Sequence, residues 1–428
     1  MEKTPFISIV LPTRDRAKLV EQCLTCIKQQ DFADYEVIIS DNPVAESCSE
    51  VVAPFLSDPR FKYFRQPQPV SMPDNWEYAA EQATGEYVTV INEKFMFRPD
   101  AFSVIQRLAK DRNPDIISWQ FDYFELCDHE KITGSYHPLL KPVEPSCYSA
   151  EIELKRRLDF IEPLFSRHQQ HKNGYGKIYS GCVKNDIVRE VRALYGRVFM
   201  PMSPDFTSMI CFLNLSENCI DVGQSLMLVV SGSNISNGVT TLKSVRAFKK
   251  FIQETVPDFD HYRSSLVIAD FWVGHSVFIA SDYQRMKDIF DKGKISNMQL
   301  GIASLVGWAK EELHLVEDWG DEDRTHFESV LTDFYSGLTQ SERNLVDNIA
   351  VENEHHRAAC SREIYHSGLA KADYFIEGIS ARQLAELHWL KKVALPRRNV
   401  GLEELTVSEA VDYLYQYNKE SRKILGLL

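Results

Sequence analysis

Between Phe6 and Trp119, short apolar runs rich in β-branched residues alternate with stretches of helical period, and few architectures accept that alternation. Phe6–Leu11 (FISIVL) is the first such run; closed by Pro12, it predicts a strand buried on both faces. Arg16–Gln30 then places Leu19, Val20, Cys23, Leu24 and Ile27 on one stripe, the pattern of an amphipathic helix. Glu36–Ser40 predicts the second strand, ending at the turn cluster Asp41-Asn42-Pro43. Phe61–Phe64, Tyr87–Ile91 and Asp115–Trp119 predict further strands, with Asp74–Ala83 and the segment from Pro99 to Lys110 as intervening helices. This β-α-β succession predicts the α/β class, with a mostly parallel sheet covered by helices on both faces. Ligands of open α/β sheets sit beyond the carboxyl ends of the strands. Three polar clusters occupy that edge here: Pro12-Thr13-Arg14, Asp41-Asn42 and Asn92-Glu93-Lys94. No G-x-G-x-x-G follows the first strand, which argues against a dinucleotide-binding dehydrogenase.

From about residue 240 the texture changes. Glycine and proline thin out, and helical period runs through Leu242–Glu254, Arg263–Arg285, Asn297–Leu315, Arg324–Tyr335, Gln340–Glu363, Ala381–Val393 and Val407–Leu425. The expected division is a domain over 1–240 and a helical accessory domain over 241–428. The acidic clusters Asp258-Phe-Asp260 and Asp321-Glu-Asp323 stand beside helix starts and read as caps. His355, His356 and His366 lack a third group at ligand spacing, so they read as a solvated helix face. Cys23 and Cys26 form a C-x-x-C without a second pair, and their helical setting predicts buried thiols.

Over 428 residues, 48 Lys and Arg face 61 Asp and Glu, a net charge of −13. Neither side of residue 240 has the broad basic excess of a nucleic-acid binder. The stretch 155–197, with Lys155, Arg156 and Arg157, is locally basic; it reads as a solvated helix face, or else as a patch facing phosphate or an anionic surface. No apolar run approaches the ~18 residues of a membrane span. The opening MEKTPFISIVLP lacks the basic region and cleavage site of a signal peptide, and nine scattered cysteines, an odd number, suit reduced thiols. The expected location is the cytoplasm.

The stretches Ser8-Ile-Val-Leu-Pro-Thr-Arg-Asp-Arg16, Cys23-Leu24 and Tyr35-Glu-Val-Ile-Ile-Ser-Asp-Asn42 resemble the opening of family-2 glycosyltransferases, which adopt the nucleotide-sugar-binding GT-A fold. The similarity continues through Met72-Pro-Asp-Asn75-Trp76, Ala83-Thr-Gly85-Glu86-Tyr87-Val88 and Arg98-Pro99-Asp100-Ala101. It resumes at Gly176–Gly181, Ser203-Pro204-Asp205-Phe206 and Ser231–Gly238, and so covers about 1–240. The resemblance implies a nucleotide pocket lined by Pro12, Thr13, Arg14, Asp41, Asn75 and Lys94, with Asp41 accepting from the imide of a uracil-type base. It implies Asp205 as the carboxylate that activates the acceptor. Ser203 reads as the N-cap of the Asp205 helix, with Pro204 at its first position.

In one place the sequence departs from the family. Where Asp-x-Asp or Asp-Asp usually holds Mg²⁺ or Mn²⁺, this chain has Asn92-Glu93-Lys94, and only Glu93 can be an anionic metal ligand. One carboxylate with phosphates and waters can hold Mg²⁺; alternatively Lys94 takes over part of the cation's work. The implied activity is that of an inverting glycosyltransferase, moving a sugar from a nucleoside-diphosphate donor, UDP-linked by expectation, to a hydroxyl of a carbohydrate or lipid-linked acceptor. The family context is surface-glycan synthesis, at the inner face of the membrane. The helical region, which the resemblance does not cover, is expected to serve self-association, partner docking or acceptor handling. The alternative is a GT-A-fold protein that binds sugar or nucleotide without turnover, its metal motif degenerate.

Overall fold

The computed structural model describes residues 4–128, 130–137, 142–160, 175–232, 237–290, 293–349 and 405–427, with Gln383 and Glu386. His355, His356 and His366 lie outside them, as does nearly all of 381–393 and the second half of 340–363.

Four strands form a parallel block. β1 (Ile7–Thr13) pairs with β2 (Tyr35–Asp41) and β4 (Tyr87–Val90), and β2 pairs with β3 (Phe61–Arg65). β1, β2 and β4 are buried at every residue, which is why each reads as a nearly unbroken apolar run. β1 continues through Pro12 to Thr13 and β2 through Ser40 to Asp41, past their expected ends. Pro12 is tolerated because it stands one residue from the strand's end, where one missing N–H interrupts little of the ladder. Thr13 and Asp41 thereby become register partners.

Beyond the parallel block the sheet is mixed. β9 (Gly181–Lys184) runs antiparallel to both β4 and β6 (Ile116–Asp128) and joins the two halves. β6 pairs in parallel with β10 (Cys219–Ser231), which also holds β5 (Phe95–Phe97) and β8 (Ser146–Tyr148) in antiparallel. β7 (Thr133–His137) pairs with β6, and β11 (Leu405–Thr406) adds to β7 with Leu405 opposite Gly134.

Side chains alternate across β1. Ile7, Ile9 and Leu11 enter one core cluster with Leu19, Val20 and Leu24 of the helix Ala17–Lys28 and with Phe102 of the helix Ala101–Arg112. Leu405, Val407, Ala410, Val411 and Leu414 belong to the same cluster, so the helix Val407–Leu425 covers this face of the sheet. Val10, Ile38, Val88 and Val90 enter the other cluster, with Trp76 of the helix Met72–Glu81 and Phe206 and Ile210 of the helix Pro204–Leu215. That cluster continues without a break into Val277, Leu305 and Phe327 of the helical region. The Pro204 helix is buried almost all round, as expected of a helix between two layers.

The expected helix over 263–285 is two helices, Phe259–Ser264 and Ser276–Ile289. Asp270 and Gly274 lie between them in the left-handed region, at φ +64 and +76. A β-carbon at Gly274 would lie 2.4 Å from Glu312 Oε2. The Glu312 carboxylate accepts from the His275 N–H (2.8 Å), the Ser276 N–H (2.9 Å) and the Ser276 hydroxyl (2.7 Å), capping the second helix from a distant segment. Asp258 and Asp323 cap their own helices, accepting from the N–H groups of His261 and Thr325. Cys23 and Cys26 are buried free thiols, and Cys23 Sγ donates to the Phe95 carbonyl. Lys155 pairs with Asp159, and Arg156 and Arg157 with Glu153, so these cations serve their own helix. Among the described residues no helix is long and apolar enough to cross a membrane.

Candidate functional site

Asp41, at the carboxyl end of β2, is fully buried. Its Oδ2 accepts from Ser47 Oγ (2.7 Å), the Tyr63 hydroxyl (2.8 Å) and the Cys48 N–H (3.1 Å), which fastens the loop after the strand. Its Oδ1 has no partner among the described residues, and neither does Thr13 Oγ1 on the adjacent strand end. Leaving such buried acceptors unpaired is costly, and structures keep them where a ligand or water completes them. The loop itself is pinned by Asp15, at φ +56, whose Oδ1 accepts from the N–H groups of Val44, Ala45 and Glu46 at 2.8–2.9 Å. Partial burial pushes the Asp15 carboxyl up, but the amides of Glu46, Ala45 and Val44 outweigh it and hold it below its ordinary value.

Asn75 stands behind this edge. Its Oδ1 accepts from Ser40 Oγ (2.7 Å) and Gln66 Nε2 (3.2 Å), and its Nδ2 donates to the Ser40 carbonyl (3.2 Å). The amide is thus spent on holding the residue before Asp41. Asn42 clamps Val70 through both backbone groups at 2.9 Å. Arg14 leans toward the helical region, 3.8 Å from Glu254, with both side chains nearly half exposed.

At the end of β4 the buried Glu93 carboxylate receives Arg16 Nη1 at 2.7 Å. Arg16 belongs to the sequence Arg14-Asp15-Arg16, and the spacing along the chain gave no sign that it would meet Glu93. The Asn92 side chain accepts from the Lys94 N–H at 3.0 Å. Burial pulls the Lys94 ammonium below its ordinary value, against the attraction of Glu93. A metal needs a different setting. Among the described residues no group of three His, Cys, Asp or Glu side chains could hold an ion. Glu93, expected as a ligand, is engaged by a guanidinium with a second cation beside it. The residues present do not fit the divalent-ion site that the family pattern implies.

Asp205 begins the Pro204 helix, with 23% of its side chain exposed. Lys177 Nζ lies 4.0 Å from its Oδ2. Burial raises the Asp205 carboxyl above its ordinary value; Lys177 and the N–H groups of Asp205 and Phe206 pull it back only in part. Lys177 is itself brought down to about 8 by burial, with Asp205 pushing it up. The ammonium donates to the Tyr179 hydroxyl at 2.9 Å and sits 3.8 Å from the centre of the Phe206 ring. Tyr179 stacks on Phe95 at 5.5 Å, and Phe95 directly follows Lys94. A continuous chain of contacts therefore joins the polar end of β4 to Asp205. Lys177 and Tyr179 were not legible as site residues, although they fall inside the matching stretch Gly176–Gly181. Ser203 does stand at the N-cap position, but its side chain makes no capping bond; it turns instead to Asp282.

Residues 8–171 match the model of the family described as glycosyl transferase family 2. Over 109 residues the chain is 31% identical to the GalNAc(5)-diNAcBac-PP-undecaprenol beta-1,3-glucosyltransferase of Campylobacter jejuni, a match covering 25% of this chain and 35% of that protein. Over 160 residues it is 27% identical to the putative colanic acid biosynthesis glycosyl transferase WcaA of Escherichia coli, covering 37% and 56%. The chain spans about a third of the first relative and about half of the second. Among solved structures, Staphylococcus aureus TarS in complex with UDP is similar at 11% identity and a TM-score of 0.42, over 82% of this chain and 91% of that one. The mannosyltransferase PcManGT from Pyrobaculum calidifontis, in complex with GDP-Man and Mn²⁺, is similar at 14% identity and a TM-score of 0.38, over 82% and 88%.

Proposed function

We propose that this chain, whose residues 8–171 match the glycosyl transferase family 2 model, moves a sugar, with inversion, from a UDP-linked donor to a hydroxyl of a carbohydrate or lipid-linked acceptor in surface-glycan synthesis. The observation that carries the donor reading is the pair of unpartnered buried oxygens on neighbouring strand ends, Asp41 Oδ1 and Thr13 Oγ1. A uracil imide N–H donates to a carboxylate at such a position, and Thr13 completes the polar floor. Asp205 Oδ takes the proton of the acceptor hydroxyl. The acceptor oxygen then bonds to the anomeric carbon from the far side, and the bond from that carbon to the diphosphate breaks with its electron pair. Charge on the departing diphosphate is met by Lys94, with Arg16 behind it. The raised Asp205 carboxyl is a stronger base than an ordinary aspartate, while Lys177 limits the rise.

The Glu93–Arg16 pair is the observation that favours the alternative, binding without turnover; the paired, partly exposed Asp205 favours catalysis. A thermal-shift panel of UDP, UDP-sugars and GDP-sugars, with EDTA or Mn²⁺, tests the donor. UDP at 100 times its Kd should stabilise the protein by ~2.7 kcal/mol. No shift with any uridine nucleotide, with or without metal, would refute the donor reading. Asp41→Ala should weaken UDP binding by ~1.5–3 kcal/mol in calorimetry, since it deletes a charge-assisted acceptor. Equal affinity in the mutant would reduce Asp41 to a fastening for its loop. Turnover should persist in EDTA and fall ~10²–10³-fold in Lys94→Ala, in the range for removing one group that stabilises transition-state charge. Loss of turnover in EDTA with full rescue by Mn²⁺ would return the charge to a metal.

A further inference from the structure

Asp205 is held in place by residues that the donor edge does not contain. Met202, buried, adopts φ +78, a left-handed conformation that a β-carbon disfavours. Ser203 follows, and its N–H donates to Asp282 Oδ2 at 3.0 Å while its hydroxyl donates to the same oxygen. Pro204 then fixes the backbone into the first turn, and Asp205 is next. Asp282 lies on the helix Ser276–Ile289, is 3% exposed, and receives Arg285 Nη1 on its other oxygen at 2.8 Å. One buried carboxylate from the helical region therefore takes both donors of the residue at which the Asp205 helix begins. A hydroxyl at an N-cap ordinarily satisfies the helix's own amides; here that bond is forgone, and the helix start is tied to a neighbouring helix instead.

We propose that Asp282 is a positioning residue for Asp205: through Ser203 it fixes the turn that aims the Asp205 carboxylate at the reacting hydroxyl and keeps it beside Lys177. The proposal rests on the reading of Asp205 as the base. It makes the region after residue 240 part of the catalytic geometry rather than an appendage to it.

The test compares full-length Asp282→Asn, Asp282→Glu, Ser203→Ala and Asp205→Asn with the wild type. Turnover is read as UDP released from UDP-glucose and UDP-N-acetylglucosamine with water as acceptor, donor affinity by UDP calorimetry, and geometry by crystal structures. Asn at 282 presents one acceptor oxygen and one NH2 group where Ser203 and Arg285 donate to two different oxygens, so it cannot hold both. Asp282→Asn should bind UDP within about twofold of wild type yet turn over ~10–100-fold more slowly, as a displacement of about 1 Å in a reacting group entails. Its Asp205 should be displaced from Lys177, and Asp282→Glu should recover part of the rate. Ser203→Ala, which keeps the backbone bond, should show a smaller loss and serves if Asp282→Asn does not fold. A folded Asp282→Asn at the wild-type rate overturns the proposal; so does a crystal structure with Asp205 unmoved, which decides the matter if neither donor is hydrolysed. If Asp205→Asn is itself as fast as wild type, the reading of Asp205 as base has failed. If Asp205→Asn is slow while Asp282→Asn is not, only the positioning role has failed.

Discussion

Asp205→Asn should lower kcat by ~10²–10⁴-fold while UDP affinity and melting temperature stay near the wild-type values, because the substitution keeps the shape and removes the proposed proton acceptor. The pH dependence gives the same group a second signature. Only the ionised carboxylate accepts the proton, so the rate falls as pH drops through the Asp205 pKa. Burial places that limb above the usual aspartate range of about 4, and the opposing pull of Lys177 keeps it from rising further. In Asp205→Asn the acid limb should vanish along with most of the rate. A mutant within a few-fold of wild type, with its acid limb intact, would leave Asp205 as a helix-start residue and nothing more.

A chain ending at residue 404 should not fold stably. Such a truncation removes Leu405, Val407, Val411 and Leu414, each at most 8% exposed, from the face of the sheet that also buries β1 and the helix Ala17–Lys28. At ~1.5–3 kcal/mol for each large apolar side chain, the loss is on the order of 5–10 kcal/mol. Total stabilities are ~5–15 kcal/mol. The fragment should aggregate or melt far below the full chain, and Leu414→Ala alone should cost ~2–5 kcal/mol in urea denaturation. A soluble fragment melting within a few degrees of the full chain would show that the sheet stands without this helix. The same consideration bears on any shorter fragment ending near residue 240, which would lack this helix as well.

Local physics was legible in the sequence, and partners far along the chain were not. Most strands and helices of the first 120 residues announced themselves by period and composition, and the acidic clusters at Asp258 and Asp323 do cap helices, because such signals act within a few residues. Pro12 misled by one strand end, since a proline closes a strand only where its own missing N–H is needed. The split of 263–285 depends on Glu312, whose carboxylate reaches Gly274, His275 and Ser276 from another helix; no window around residue 274 contains it. Arg16 with Glu93, and Ser203 with Asp282, are likewise pairings between residues far apart in sequence. Their residue types are ordinary for helix starts and strand ends, so nothing marks them before the fold brings them together. The short antiparallel strands β5, β7, β8 and β9 have too few residues for a period to emerge. The change of texture near residue 240 reflects a real rise in helix content, but a pattern of apolar stripes does not say which other element each stripe meets.

The pairing of Leu405 with Gly134 also orders events during synthesis. As the nascent chain leaves the ribosome, β6 and β7 are complete long before residues 405–427 exist. Until those residues emerge, the open edge of β7 and the apolar sheet face beneath the missing helix remain exposed to other nascent chains. Edges of that kind recruit strands from neighbours, and contacts closed across so long a loop form slowly. The strand ends at Thr13 and Asp41 are thus made early, and the sheet that supports them is closed only after translation has passed residue 427.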